Sequence, residues 1–279
     1  MTTSEANLTS NFPSNVAATV AATIASTVAS IATAARRTGW RHAARCACFA
    51  LLTAVAMPAW SAPFTNVYFF GDSLTDSGNA FALTGLPQAP YVDGRITNGS
   101  NYADRLAQRL GLSATAAAAG GTNYAVATAT AFPGPEPFNL PGQLAAYNAR
   151  VGFVDPQALY VFWFGSNDVR RALDSPLDGA TIVASAVNEL AQAVQTFASL
   201  GARHFLIGDV PSLALLPAVR ALNDPIASFV ADAASTRFND ALSSALLPLS
   251  ATYVDTRFNR LRASQLFGQV LLDPAAFGF

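Results

Sequence analysis

From residue 66 onward the chain alternates short apolar runs with longer segments of helical spacing, and each run stops at a glycine or a polar residue. Strands buried on both faces read as unbroken apolar runs, and parallel strands need crossover helices between them. The alternation therefore predicts an α/β fold with a parallel sheet. Residues 67–70 are the first predicted strand, ending at Gly71-Asp72-Ser73, and residues 159–164 the second, ending at Gly165-Ser166-Asn167-Asp168. A third covers residues 205–207 and ends at Gly208-Asp209; a last one covers residues 252–254. Residues 101–110, 181–200 and 226–247 carry helical spacing, the first closed by Gly111 and the second by Gly201. Residues 132–142 hold four prolines and two glycines and read as a long loop over one edge of the sheet, of the kind that shapes a binding site.

A hydrophobic fraction of 52% against 12% charged residues fits a well-buried core. All sixteen basic residues are arginine and seventeen acids oppose them, so the formal charge of -1 gives no reason to expect a nucleic-acid partner. Arg36, Arg37, Arg41 and Arg45 precede an apolar stretch over residues 46–60, which leads into Ala59-Trp60-Ser61-Ala62. Charged segment, apolar segment and small-residue exit, in that order, predict a signal peptide cleaved near Ser61 or Ala62, and hence a secreted or periplasmic protein. The apolar run is short and broken by Pro58, which leaves no stable membrane span once the signal is removed; a retained anchor or a buried helix is the alternative. Residues 1–35 are mostly Ala, Thr, Ser and Val, with few charges and no clear caps. The predicted organisation is a low-complexity extension plus signal peptide over residues 1–62 and one domain over residues 63–279. Cys46 and Cys48 both fall in the signal, so no disulfide is expected in the exported part. No cofactor and no metal is expected, and the oligomeric state is not readable.

Ligands of open parallel sheets bind outside the carboxyl ends of the strands. Three such ends carry compact polar groups: Asp72-Ser73, Ser166-Asn167-Asp168 and Asp209. A serine in the first helical turn after a buried strand has its hydroxyl at the sheet rim and an amide free to donate. Read alone, Ser73 could equally cap the helix that follows, and Asn167 could be a turn-forming asparagine.

Four segments in order decide between these readings. FGDSLTDSGN at residues 70–79, GRITNG at residues 94–99, NYAV at residues 123–126 and YVFWFGSND at residues 160–168 resemble the successive blocks of the GDSL or SGNH hydrolases. Residues 201–213 are similar to the strand and proline turn that follow in that family. The resemblance covers nearly all of residues 64–279 and implies a flavodoxin-like three-layer α/β/α fold with a central parallel sheet. It implies a carboxylic-ester hydrolase, a lipase or esterase working through an acyl-serine, on a small-molecule or lipid ester. Ser73 is then the nucleophile and one oxyanion amide, and the Asn167 side chain is a second oxyanion donor. Where the family usually has Gly-Gly after the NYA block, this chain has Ala127-Thr128, so the third donor would be the Thr128 amide. A threonine can donate that bond, but its Cβ disfavours the positive φ that glycine allows.

A serine hydroxyl needs a base, which the family takes from a C-terminal Asp-x-x-His motif. This chain has no such motif and two histidines, His42 in the signal region and His204 at the start of a predicted strand. His204 belongs at the rim opposite the crevice, roughly 13 Å away over four residues of strand. No general base is found. The closing residues resemble the family segment that precedes the missing motif, so the sequence reads as cut short before it and lacking its last helix. Three functional readings follow: an ester hydrolase weakened by the missing histidine, a non-catalytic α/β domain, and, within the enzyme class, a carbohydrate acetylesterase. The apolar side chains of Phe132, Phe138 and Leu140 lean toward lipidic acyl groups.

Overall fold

The computed structural model of the protein describes residues 64–134 and 137–278, which fall in one compact unit over residues 62–279. The extension and signal predicted over residues 1–62 lie outside the described residues. Four parallel strands form the sheet: β1 (Val67–Gly71), β2 (Leu159–Trp163), β3 (His204–Gly208) and β4 (Arg257–Leu261), in the spatial order β1-β2-β3-β4. Residues 122–126 run along the outer side of β1. Phe69 N–H donates to Thr122 O (3.1 Å), Tyr124 N–H to Phe69 O (2.8 Å) and Val126 N–H to Gly71 O (3.2 Å). With that segment counted, a second line of chain lies outside the first strand and the rest follow in sequence, as in a flavodoxin-like sheet.

Among the described residues there are eight α-helices: α1 (Asn79–Thr84), α2 (Tyr102–Arg109), α3 (Leu140–Arg150), α4 (Ser166–Asp174), α5 (Gly179–Ser199), α6 (Pro217–Ala221), α7 (Pro225–Thr252) and α8 (Ala263–Leu272). Side chains alternate faces along a strand, and both faces are covered. Tyr68, Phe70, Tyr160, Phe162, Phe205 and Ile207 pack with residues of α3, α5 and α7 in the larger core. Val67, Phe69, Leu159 and Val161 pack against Ala103 and Ala107 of α2 on the other side. The result is a three-layer α/β/α architecture with β1 and β2 buried along their length. Stacked rings cross the strands on the larger face, Phe70 on Phe162 at 4.8 Å and Phe205 on Phe258 at 5.2 Å, which adds to the area they bury.

Three predicted elements are displaced. Residues 252–254 are not the last strand: α7 runs to Thr252 and the strand is β4, five residues further on. β4 is RFNRL, half exposed and polar at alternate positions, so it offers no apolar run to read. Asp255, which would directly follow the strand predicted over residues 252–254, lies instead before β4, in the turn closed by Thr256 N–H on Tyr253 O (2.9 Å). The loop predicted over residues 132–142 ends at Asn139, because Leu140, Pro141 and Gly142 open α3; proline is tolerated in a first helical turn, where its missing N–H costs nothing. Ser73 is not on a helix. It lies in a single turn, with Thr75 N–H (3.0 Å) and Asp76 N–H (2.9 Å) both donating to Asp72 O, and α1 begins only at Asn79.

Candidate active site

The Ser73 turn leaves the sheet at the end of β1, where the chain is gripped from three sides. Gln143 of α3 accepts from Gly71 N–H (3.0 Å) and donates to Gly71 O (2.8 Å). A side chain at Gly71 has no room: a Cβ there would stand 2.7 Å from Thr75 Oγ1 and 2.8 Å from Trp163 O. Thr75 Oγ1 also meets the Tyr102 hydroxyl (3.1 Å), and the Asn101 and Asn123 side chains donate to Thr75 O (3.2 and 2.7 Å). With its neighbours fixed, Ser73 keeps both its hydroxyl and its amide without a hydrogen-bond partner among the described residues. Asp72, 2% exposed, accepts from Leu74 N–H (3.0 Å). Burial, with the charge of Asp168 adding to it, pushes the Asp72 carboxyl up to about 7.

Thr128 belongs to a second turn, closed by Ala129 N–H on Val126 O (3.1 Å). Its φ is 71°, so the third position of this turn has the left-handed conformation that normally calls for glycine. The sequence anticipates this as a difficulty for threonine; the chain adopts it regardless. The Thr128 amide and hydroxyl have no partner among the described residues. Asp76 joins the two turns. Its fully buried carboxylate accepts from Gly78, Asn79 and Ala80 N–H at the start of α1 (2.8, 2.7 and 3.0 Å) and from Ala127 N–H (2.9 Å).

Asn167 stands in the first turn of α4. That helix can start there because Gly165 takes φ 123°, a position where a Cβ would press to 2.5 Å on Val210 and 2.6 Å on Phe238. Asn167 Nδ2 donates to Ala129 O (2.9 Å), which leaves its second N–H for a ligand. The turns that carry Ser73 and Thr128 are linked through Asp76, which accepts from Ala127 N–H, and Asn167 is bonded to the second turn at Ala129 O. Asp168 beside it is fully buried and accepts from Ala131 N–H (3.1 Å) and Phe132 N–H (2.8 Å); burial raises its carboxyl. A cleft of about 320 Å³ has Thr128, Asn167, Phe138, Arg170 and Arg171 in its lining, and Ser73 is not part of that lining.

His204 opens β3 in register with Val67, Leu159 and Arg257, at the amino edge of the sheet. Ser73 follows the carboxyl end of β1, four residues of strand away, or about 13 Å. The imidazole packs edge-on against Phe64 (5.2 Å), and burial followed by the Arg257 charge holds its pKa down. Asp209, at the carboxyl end of β3, is occupied by Ser264 N–H (2.8 Å) and Oγ (2.7 Å) at the start of α8. Among the described residues no group of three or more His, Cys, Asp or Glu could hold a metal ion.

Asp76, Asn79, Asn101 and Gln143 are positioning residues that the sequence reading passes over. Asn79 donates to Asn123 O (2.7 Å) and Ala125 O (2.8 Å), tying α1 to the edge segment. Three of these had a signal: Asp76 and Asn79 sit inside the first block, and Asn101 begins a capping box with Asp104. Gln143 had none.

A family model described as GDSL-like lipase/acylhydrolase matches residues 67–269. Lipase 1 of Photorhabdus luminescens is 33% identical over 159 residues, covering 56% of this chain and 24% of its own, so the chain spans about a quarter of that relative. A GDSL esterase/lipase of Arabidopsis thaliana is 25% identical over 282 residues, 84% of this chain and 77% of the relative. A phosphatidylcholine-sterol acyltransferase of Aeromonas hydrophila is 28% identical over 224 residues, 77% of this chain and 63% of the relative.

Proposed function

The chain belongs to the GDSL-like lipase/acylhydrolase family, and from that premise we propose that it hydrolyses carboxylic esters through an acyl-serine intermediate. Ser73 Oγ adds to the ester carbonyl as its proton passes to a base, the tetrahedral intermediate expels the alcohol, and water then releases the acid and restores the serine. The Ser73 amide, the Thr128 amide and Asn167 Nδ2 receive the oxyanion. One observation carries this reading: the unpartnered Ser73 and Thr128 amides lie in two turns that Asp76 ties together, and Asn167 Nδ2 is bonded to the second of them, at the carboxyl edge of the sheet. Loss of one such donor costs roughly 100 to 1,000-fold in rate.

The base is the weak link. The sole imidazole among the described residues is His204 at the far edge, and Asp72, close in sequence, is buried. Residues 64–278 alone are therefore expected to turn over slowly, since a site without one triad member keeps only about 1,000 to 10,000-fold over water. The relatives are named lipase, esterase/lipase and acyltransferase, which supports an acyl ester as the substrate class. The order of residues 36–62 supports export, to the periplasm or beyond. No described helix is long and apolar enough to cross a membrane. The purified chain is to be assayed on p-nitrophenyl butyrate beside Ser73→Ala, with an acetylated sugar as comparison. Slow, serine-dependent release of nitrophenol is expected; equal rates for the two proteins would overturn the hydrolase reading and favour the second one, a non-catalytic binding domain, for which the position of His204 speaks.

A further inference from the structure

The cleft beside the oxyanion candidates carries two guanidinium groups that no acid among the described residues ion-pairs. Arg170, Arg171 and one acid, Asp174, line it together with Thr128 and Asn167. Neither guanidinium has a hydrogen bond or an ion pair among the described residues, where the single ion pair joins Arg95 to Asp104 (2.7 Å). Asp168 is within electrostatic reach of Arg171, yet its two oxygens are committed to the Ala131 and Phe132 amides. Arg171 is instead held over the Phe132 ring, its guanidinium carbon 4.9 Å from the centroid, and Phe132 is fixed in turn by its N–H on Asp168. Asn167 adds a free N–H to the lining, and Asn139 Oδ1 already accepts from Thr130 N–H (3.0 Å).

A pre-oriented guanidinium, a second one beside it and a free amide N–H describe a site for an anion with several oxygens, because the planar fork of arginine pairs bidentately with phosphate or carboxylate. We propose that this cleft is a subsite for an anionic group on the ester substrate, a phosphate or a carboxylate, held by Arg170 and Arg171. That the anion belongs to an ester rests on the hydrolase reading; that an anion binds rests on the cleft.

Calorimetric titration in a Ser73→Ala background, where ligands stay intact, separates the two. Monobutyl succinate and monobutyl phosphate are compared with uncharged butyl acetate. Both anionic compounds are expected to bind about tenfold or more tightly than butyl acetate, the tighter of them naming the group, with the advantage shrinking as salt rises. Arg170→Ala/Arg171→Ala should abolish the advantage, and Arg105→Ala on α2 should leave it intact. Because Arg171 rests on Phe132, the single Arg170→Ala variant is measured too, with a loss of about threefold expected. Equal binding of charged and uncharged ligands, or an advantage that survives in the double variant, would overturn the subsite. Arginine-dependent anion binding without any Ser73-dependent turnover of p-nitrophenyl butyrate retains the subsite and removes the hydrolase reading; turnover without charge preference does the reverse.

Discussion

Thr128 has a β-branched side chain at φ 71°, and among the described residues the two other non-glycine residues with positive φ are Asp93 and Asn223, types that tolerate the left-handed region. An L side chain there costs about 1–2 kcal/mol by crowding a carbonyl oxygen, and such strain persists where surrounding bonds over-determine the backbone. Here those bonds are Ala127 N–H on Asp76 and Asn167 on Ala129 O. Thr128→Gly relieves the strain but loosens the unfolded chain, so a net gain of about 0.5–1 kcal/mol is expected in urea unfolding, against no gain for Thr128→Ala. A second prediction concerns Asp72. Its carboxyl, pushed up to about 7, holds a proton more tightly in the folded chain than in the unfolded one. Its contribution is therefore full below pH 4 and is lost as pH rises toward about 7. The urea midpoint measured from pH 4 to 8 should fall more steeply in the parent than in Asp72→Asn, and parallel profiles would contradict the assignment. Ser73 and Asn167 were legible because each sits in a contiguous block; the φ of Thr128 was anticipated only as a conflict, since sequence shows that glycine is missing but not that the backbone keeps glycine's shape.

At the level of elements, the serine turn depends on groups far along the chain. Asp76 collects four amides from α1 and the Thr128 turn, so Asp76→Ala leaves four buried or half-buried donors without an acceptor. A loss of roughly 2–4 kcal/mol is expected, with faster hydrogen exchange at Ala80 and Ala127 as its local signature. An unchanged exchange rate at Ala127 would show that the two turns are held together by other means. β1, β2 and β3 were readable from apolar runs because helices bury both of their faces. β4 escaped because it is half exposed, and the start of α3 because Pro141 and Gly142 read as loop while their helical context lies in Leu140, Gln143 and Tyr147, all buried. The helix predicted to end at residue 247 continues through Pro248 to Thr252; proline there removes one bond of the ladder, the one its N–H would make to the carbonyl four residues back, a turn before the helix ends.

Across the whole molecule, the parallel sheet sets the candidate site and the one described imidazole at opposite edges. Residues that face solvent at the carboxyl edge build the candidate site, and His204 at the amino edge packs on Phe64. His204→Ala should change any Ser73-dependent ester turnover by less than about twofold, whereas participation in proton transfer would reduce it by 100-fold or more. The sheet also has an outer side at β4, with a partner strand on one flank only among the described residues. Unpaired N–H and C=O groups along such a strand are a template on which another chain can add. β4 meets that hazard with its own composition: Arg257 and Asn259 are exposed, and Arg262 follows directly. The polarity that hid this strand from the sequence reading is thus also a guard against self-association. Arg257→Val/Asn259→Val is expected to scatter light at concentrations where the parent stays dispersed, with a thioflavin-positive, strand-added product in place of the monomer.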